Sequence, residues 1–266
     1  MKYFDTHVHF FPDQLAGKAL PKLRDISKCE TYSDGTRQGT VDKLATWDCC
    51  GGMVLHIATN AHQQTSVNNF AQESQHDNLF CFGSVYPFAD NALEELDRVK
   101  ELGLYGIKLH PDYQEFMVAD PKVLPIYAKA EQLGLPIAFH TGRDPLSPNL
   151  VHCPPDQLAK VADMFPKLTI IAAHMGGMDM PQETAKHLAG KPNVYFDTAF
   201  ASHFLTSAQL GELIQLHGAD RVLFATDCPW STVPAERELL LAAGLSPADL
   251  ERVAYRNAEE LFGITV

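Results

Sequence analysis

The chain lacks the signatures of several common protein classes. No apolar stretch approaches the roughly 18 residues of a membrane-spanning helix, and no basic segment followed by an apolar run opens the sequence, so neither a membrane span nor a signal peptide is expected. None of the six cysteines (Cys29, Cys49, Cys50, Cys81, Cys153 and Cys228) forms a C-x-x-C pair. That pattern suits reduced thiols in a cytoplasmic chain better than a disulfide framework or a structural zinc site. Positive charge is scarce: 21 Lys and Arg stand against 33 Asp and Glu, a net charge of −12, which disfavours nucleic acid or an anionic membrane as partner. Neither G-x-G-x-x-G nor G-x-x-x-x-G-K-[ST] follows the first strand-like run, so the usual phosphate cradles of nucleotide-binding folds are missing. Repeats, low-complexity stretches and linkers are absent too.

What is present begins at Asp5-Thr6-His7-Val8-His9. Lys2-Tyr3-Phe4 before it reads as a strand, and residues two apart on a strand project to one face. Two imidazoles presented together from a strand end are a compact way to offer nitrogen ligands to a divalent metal. Chance alone yields roughly half an H-x-H pair in a chain this rich in histidine, so the placement at the end of the first strand is what gives the pair weight.

Seven more short runs rich in β-branched or aromatic residues follow: 53–57, 80–86, 106–110, 136–140, 169–174, 194–198 and 222–226. Each is followed by a helical stretch. The segment 91–102 carries Leu93, Leu96, Val99 and Leu102 on one stripe, with Gly103 as its stop. Segments 123–133 and 156–165 read likewise. The last helix opens at Ser246-Pro247, a cap followed by proline at the first helical position. Eight strand–helix units in 266 residues match a single-domain (β/α)8 barrel. Residues 11–40 show no clear periodicity and are expected to form an extended loop or lid after the first strand.

A barrel of this kind carries its active site at the C-terminal ends of the strands. There the polar residues fall: His7 and His9 end the first strand, Lys108 and His110 the fourth, His140 the fifth, His174 the sixth and Asp227 the eighth. Buried strands normally close with aliphatic residues, because an unpartnered buried imidazole or carboxylate costs several kcal/mol. His7, His9, His140 and Asp227 are the expected ligands of one divalent metal, with room for water. His174 is expected to transfer a proton or polarise the substrate, which makes Asp227 and His174 the catalytic candidates. Lys108 and His110 share a strand face and are candidates for a second metal or for substrate. Asp5 is expected either to support the histidine pair or to pair with Lys108 on the barrel floor. Arg143, just past the fifth strand, is a candidate for binding a substrate carboxylate. Asp197, His203 and Trp230 fall on rim loops, where Trp230 is a further substrate-contact candidate. His56, His62, His76, His187 and His217 read as ordinary structural or surface histidines.

These motifs, DTHVHF at 5–10, GIKLHP at 106–111, FHTG at 139–142, AHMGG at 173–177, ATDCPW at 225–230 and RNAEELFG at 256–263, resemble those of the amidohydrolase superfamily, specifically its amidohydrolase-related group. The resemblance implies a distorted (β/α)8 barrel with a divalent metal, commonly zinc, on His7, His9, His140 and Asp227, and with His174 in the place of the sixth-strand catalytic histidine. A divalent metal lowers the pKa of a bound water to near 7 and polarises an electrophile. The leading expectation is therefore hydrolysis of a C–N or C–O bond in a small molecule. The alternative is non-oxidative decarboxylation of an unsaturated or aromatic acid, which the group also includes and which Arg143 and Lys108 would favour. A metal-independent lactonase, a TatD-like nuclease and a barrel that binds without turnover rank lower, the nuclease because no glutamate occupies the fourth strand. A homodimer is expected from base rates alone.

Overall fold

Eight parallel strands alternate with helices in a distorted (β/α)8 barrel, and all eight fall where the sequence pattern puts them. The computed structural model describes residues 1–266. The strands are β1 (Asp5–Val8), β2 (Gly52–Leu55), β3 (Leu79–Phe82), β4 (Ile107–Leu109), β5 (Ile137–Phe139), β6 (Ile170–Ala172), β7 (Val194–Asp197) and β8 (Val222–Leu223). They form a three-stranded sheet, β1-β2-β3, and a five-stranded sheet, β4-β5-β6-β7-β8. One bridge crosses each seam, Gly83 to Ile107 and Val8 to Cys228.

Alternation along the strands builds two cores. Ile107, Leu109, Ile137, Phe139, Ile170 and Ala172 point outward into the large cluster beneath the helices, whereas Met53, Leu55, Phe82, Ala138, Ile171 and Leu223 fill the barrel with Phe4. Lys108 lies between two outward residues and is buried on the inner side. β1 breaks the alternation: Asp5 pairs with Gly52 but Val8 with Val54, three steps against two. Such an extra residue re-aims the side chains that follow it, and it lets His7 and His9 line the cavity although Phe4 belongs to the barrel core.

The first helices are α1 (Asp13–Ser27), α2 (Arg37–Thr46), α3 (Gln64–Glu73), α4 (Ala92–Glu101), α5 (Leu124–Leu133) and α6 (Pro155–Met164). They are followed by α7 (Pro181–His187), α8 (Ser207–His217), α9 (Val233–Leu241), α10 (Pro247–Glu251) and α11 (Asn257–Phe262), the last two joined through a π-helical turn at Arg252–Arg256. Residues 11–40 correct the sequence expectation, because most of the supposed loop is α1 and the start of α2. Gly17 and Pro21 look like breakers, but they stand one turn apart and both are exposed, so the backbone bond that proline removes is left to water. At the far end of the barrel, Asn257 Nδ2 donates to the carbonyls of Ala219 (2.6 Å) and Val222 (2.7 Å). This fastens the C-terminal helices beneath β8. No helix is long and apolar enough to cross a membrane.

Candidate metal centre and active-site pocket

Three side chains from the two ends of the sequence converge at the mouth of the barrel. Nε2 of His7 and Nε2 of His9 are 3.1 Å apart, and Asp227 Oδ1 lies 3.4 Å from the first and 3.2 Å from the second. Donors bound to one small divalent ion at about 2.0–2.2 Å lie roughly 2.9–3.6 Å from each other, so this spacing fits such an ion. The hydrogen bonds on the far sides of the rings strengthen the fit. His7 Nδ1 donates to Asp197 Oδ2 (2.8 Å) and His9 Nδ1 to the Leu55 carbonyl (2.8 Å). Those partners can only accept, so each neutral ring turns the Nε2 lone pair into the cluster. Burial holds His7 well below the ordinary histidine pKa, reinforced by Lys108, so the ring is neutral. Two lone pairs and a carboxylate oxygen with no proton between them repel unless a cation joins them.

The same logic extends to His140 and His174. His140 Nε2 donates to the Arg143 carbonyl (3.2 Å) and His174 Nδ1 to the Ala199 carbonyl (3.0 Å). That leaves His140 Nδ1 and His174 Nε2 facing one another at 3.0 Å. Burial, then the neighbouring His174 and Lys108, keep His140 well below its ordinary pKa. His140 thus stands beside His174 and outside the tight triad of His7, His9 and Asp227; it belongs to a second cluster of donors with His110 and Asp144.

Asp227 is pushed up by burial, but its place among the imidazoles of His9, His7 and His174 outweighs this and holds its carboxyl below the usual range. Both strand-end residues adopt left-handed backbone, φ 58° at His174 and φ 68° at Asp227, an uncommon state for a non-glycine residue that clusters at functional sites. Each is held in place. The His174 N–H donates to Asp197 Oδ1 (2.8 Å), and the Asp227 N–H to the His7 carbonyl (2.9 Å). Asp197 thus orients His7 and His174 together from the floor of the site, a role different from the rim contact expected of it.

Several expectations move. Lys108 is buried, with Nζ 3.3 Å from His7 Nε2, and burial pulls its pKa down to about 8. Asp5 does not pair with it: its carboxylate accepts from the N–H groups of Thr226 (3.0 Å) and His7 (3.2 Å) and from the Thr226 hydroxyl (2.5 Å). Asp5 instead ties β1 to β8 directly below the histidine pair. Arg143 is exposed and absent from the cavity wall. The next residue, Asp144, is the one that turns inward, with Oδ2 3.6 Å from Nε2 of both His110 and His140. No motif marked Asp144; its place directly after H-T-G-R was the only signal. His110 is stacked between Tyr113 (ring centroids 3.8 Å) and His140 (4.3 Å). Asp112, buried beneath it, accepts from His152 Nδ1 (2.9 Å) and from the Ser147 hydroxyl, which clamps the loop after β5 to the loop after β4. His203 stacks on Phe200 outside the cavity, whereas Trp230 lines it.

A family model described as amidohydrolase matches residues 4–264. The chain belongs to the amidohydrolase family. Proteins similar to it include the gamma-resorcylate decarboxylase of Polaromonas sp. strain JS666, 26% identical over 216 residues, which are 64% of this chain and 66% of that protein. The chain therefore matches just under two thirds of that relative's length. Among solved structures, an uncharacterized TIM-barrel protein from Bordetella bronchiseptica matches with a TM-score of 0.80 at 20% identity, over 99% of each chain. A dihydroxybenzoic acid decarboxylase from Polaromonas sp. JS666, with bound manganese and the inhibitor 2-nitroresorcinol, matches with a TM-score of 0.71 at 18% identity, over 98% of this chain and 97% of that one. The barrel fold of this amidohydrolase is shared with both.

Proposed function

We propose that the chain is a metal-dependent decarboxylase of a small aromatic or unsaturated carboxylic acid. The observation that carries this reading is the flat apolar wall built around the convergent His and Asp donors: Phe10, Phe11, Phe200 and Trp230 line the same cavity as His7, His9 and Asp227. A planar acid fits between such walls with its carboxylate at the donors. The similarity to a decarboxylase supports this over hydrolysis of a C–N or C–O bond, the leading expectation from sequence.

His7, His9, His140 and Asp227 would hold one divalent ion. Zinc suits imidazole and carboxylate donors; manganese, the ion in the Polaromonas decarboxylase structure, takes the same donor types. When bound, the ion supplies positive charge that anchors the substrate carboxylate and neighbouring oxygens. The reaction breaks the carbon–carboxylate bond, leaves its electron pair on carbon, releases carbon dioxide and puts a proton in its place. His174 and Asp227 are the two groups placed to carry that proton. Lys108 adds positive potential beneath the carboxylate, and His110 and Asp144, which with His140 form a second cluster of donors, border the substrate side of the pocket.

The test is carbon dioxide release from 2,6-dihydroxybenzoate and related hydroxybenzoic acids by protein loaded with Mn2+ or Zn2+, beside a panel of amides and lactones. Release is expected, with a loss of at least ~100-fold in Asp227→Asn and in His174→Asn. Turnover of an amide or lactone, with no carbon dioxide from any acid, would reverse the reading in favour of hydrolysis.

A further inference from the structure

The cavity is larger than a single-ring acid requires, and its excess lies on one side. Its volume of about 930 Å3 stands at the upper end of the roughly 300–1,000 Å3 of pockets that enclose drug-sized ligands. Beyond the metal centre it runs on between two helices. From α1 it is lined by Leu15, Ala19, Leu23 and Ile26, and from α3 by Val67 and Phe70. Their spacing puts each set on one helical stripe. α1 already has a separate stripe, Ala16 and Leu20, buried against the protein, so the cavity-facing stripe is additional. Leu15 on that stripe remains 54% exposed. A polar helix that keeps a second apolar row turned toward a cavity, with no protein packed on it, has built that row for a ligand.

We infer that the substrate carries an apolar arm, an alkyl or similar chain of about four carbons or more on the side opposite its carboxylate, and that this arm lies in the cleft between α1 and α3. The inference rests on the carboxylic-acid reading of the metal centre and names the substrate class within it. The cleft is continuous with the donors at His7, His9 and Asp227, so an acid anchored there directs its far end between the two helices. Beside these apolar residues the cavity carries the rim lysines Lys18 and Lys22, the polar side chains of Gln14 and Ser66, and at its inner end His56, whose ring meets Phe70 edge-on (ring centroids 5.4 Å). Burial of the arm tightens binding through area alone, and α1 acts as the element that measures arm length.

The experiment uses manganese-loaded protein and a series of 2,6-dihydroxybenzoates bearing methyl, butyl or hexyl at the ring carbon opposite the carboxylate. Binding is read by calorimetry and carbon dioxide release is followed in parallel. Each methylene from methyl to butyl is expected to lower Kd about three- to fourfold, with an increasingly negative heat-capacity change. Ala19→Trp, which fills the cleft, is expected to flatten this dependence and leave the Kd of the methyl compound within about twofold. Val67→Trp does the same from the opposite wall and serves if the first variant fails to fold. A Kd that is independent of arm length, or that rises with it, overturns the inference, and so does a length dependence untouched by both variants. If the length dependence holds while no compound releases carbon dioxide, the arm site stands and the decarboxylase reading alone falls.

Discussion

At the scale of single residues, the protein keeps a buried carboxylate away from the metal centre, and its cost is measurable. Glu236 accepts from the Ser202 N–H (2.9 Å) and from the hydroxyls of Ser202 (2.6 Å) and Ser231 (2.6 Å). Burial nevertheless outweighs these bonds and raises its pKa from 4.5 to about 7. The folded state therefore holds a proton that the unfolded chain releases between those two values, so stability falls as pH rises through that window and levels off above it. Glu236→Gln cannot titrate. Relative to the parent, it is expected to gain up to roughly 3 kcal/mol between pH 4 and pH 8, read from urea midpoints; a constant difference between the two proteins would refute the buried-acid account. Residue identity at the site was legible in the sequence wherever a strand end supplied the position: His7, His9, Lys108, His110, His140, His174 and Asp227 all line the cavity. Past the strand end that guidance stops. Arg143 and Asp144 are neighbours whose directions are set by the local turn, where Gly142 at φ 95° packs so closely on Met178 that any Cβ would strike its backbone. Composition favoured the arginine for an acidic substrate, and the turn delivers the aspartate.

At the scale of elements, strands read well because each is a short apolar run bounded by polar residues at the rim. α1 was missed although Leu15, Ala16, Ala19, Leu20, Leu23 and Ile26 recur at helical spacing, because Gly17 and Pro21 inside the same run read as breakers. The C-terminal motif RNAEELFG shows the reverse. Its sequence is distinctive, and the structure gives the reason in Asn257, which bonds two carbonyls where the C-terminal helices meet β8. Asn257→Ala leaves the buried Val222 carbonyl and the half-buried Ala219 carbonyl without that donor. The expected loss is about 2–3 kcal/mol, seen as a drop in Tm of roughly 4–12 °C by circular dichroism; a shift under 1 °C would show that water replaces the side chain.

At the scale of the whole molecule, an acidic protein proposed to take an acidic substrate must shape its field locally. Net charge is −12, yet the cavity carries Lys18 and Lys22 at its rim and Lys108 at its base. These form a positive lane in a negative surface. Replacing both rim lysines with glutamate is expected to lower kcat/KM for a hydroxybenzoate about tenfold at low salt, with kcat unchanged, and the gap should close near 0.5 M salt as screening shortens the reach of the field. A gap that persists at high salt would mean direct contact in place of steering.

The extra residue in β1 has a consequence for protein engineering. Grafting D-T-H-V-H onto a regular strand of another barrel would supply the ligands but aim them into the wrong layer, because the pair reaches its cavity through three steps matched against two. The portable unit is the motif together with its misalignment and the Asp5–Thr226 tie that locks it. A designer who straightens the strand for stability would disarm the site.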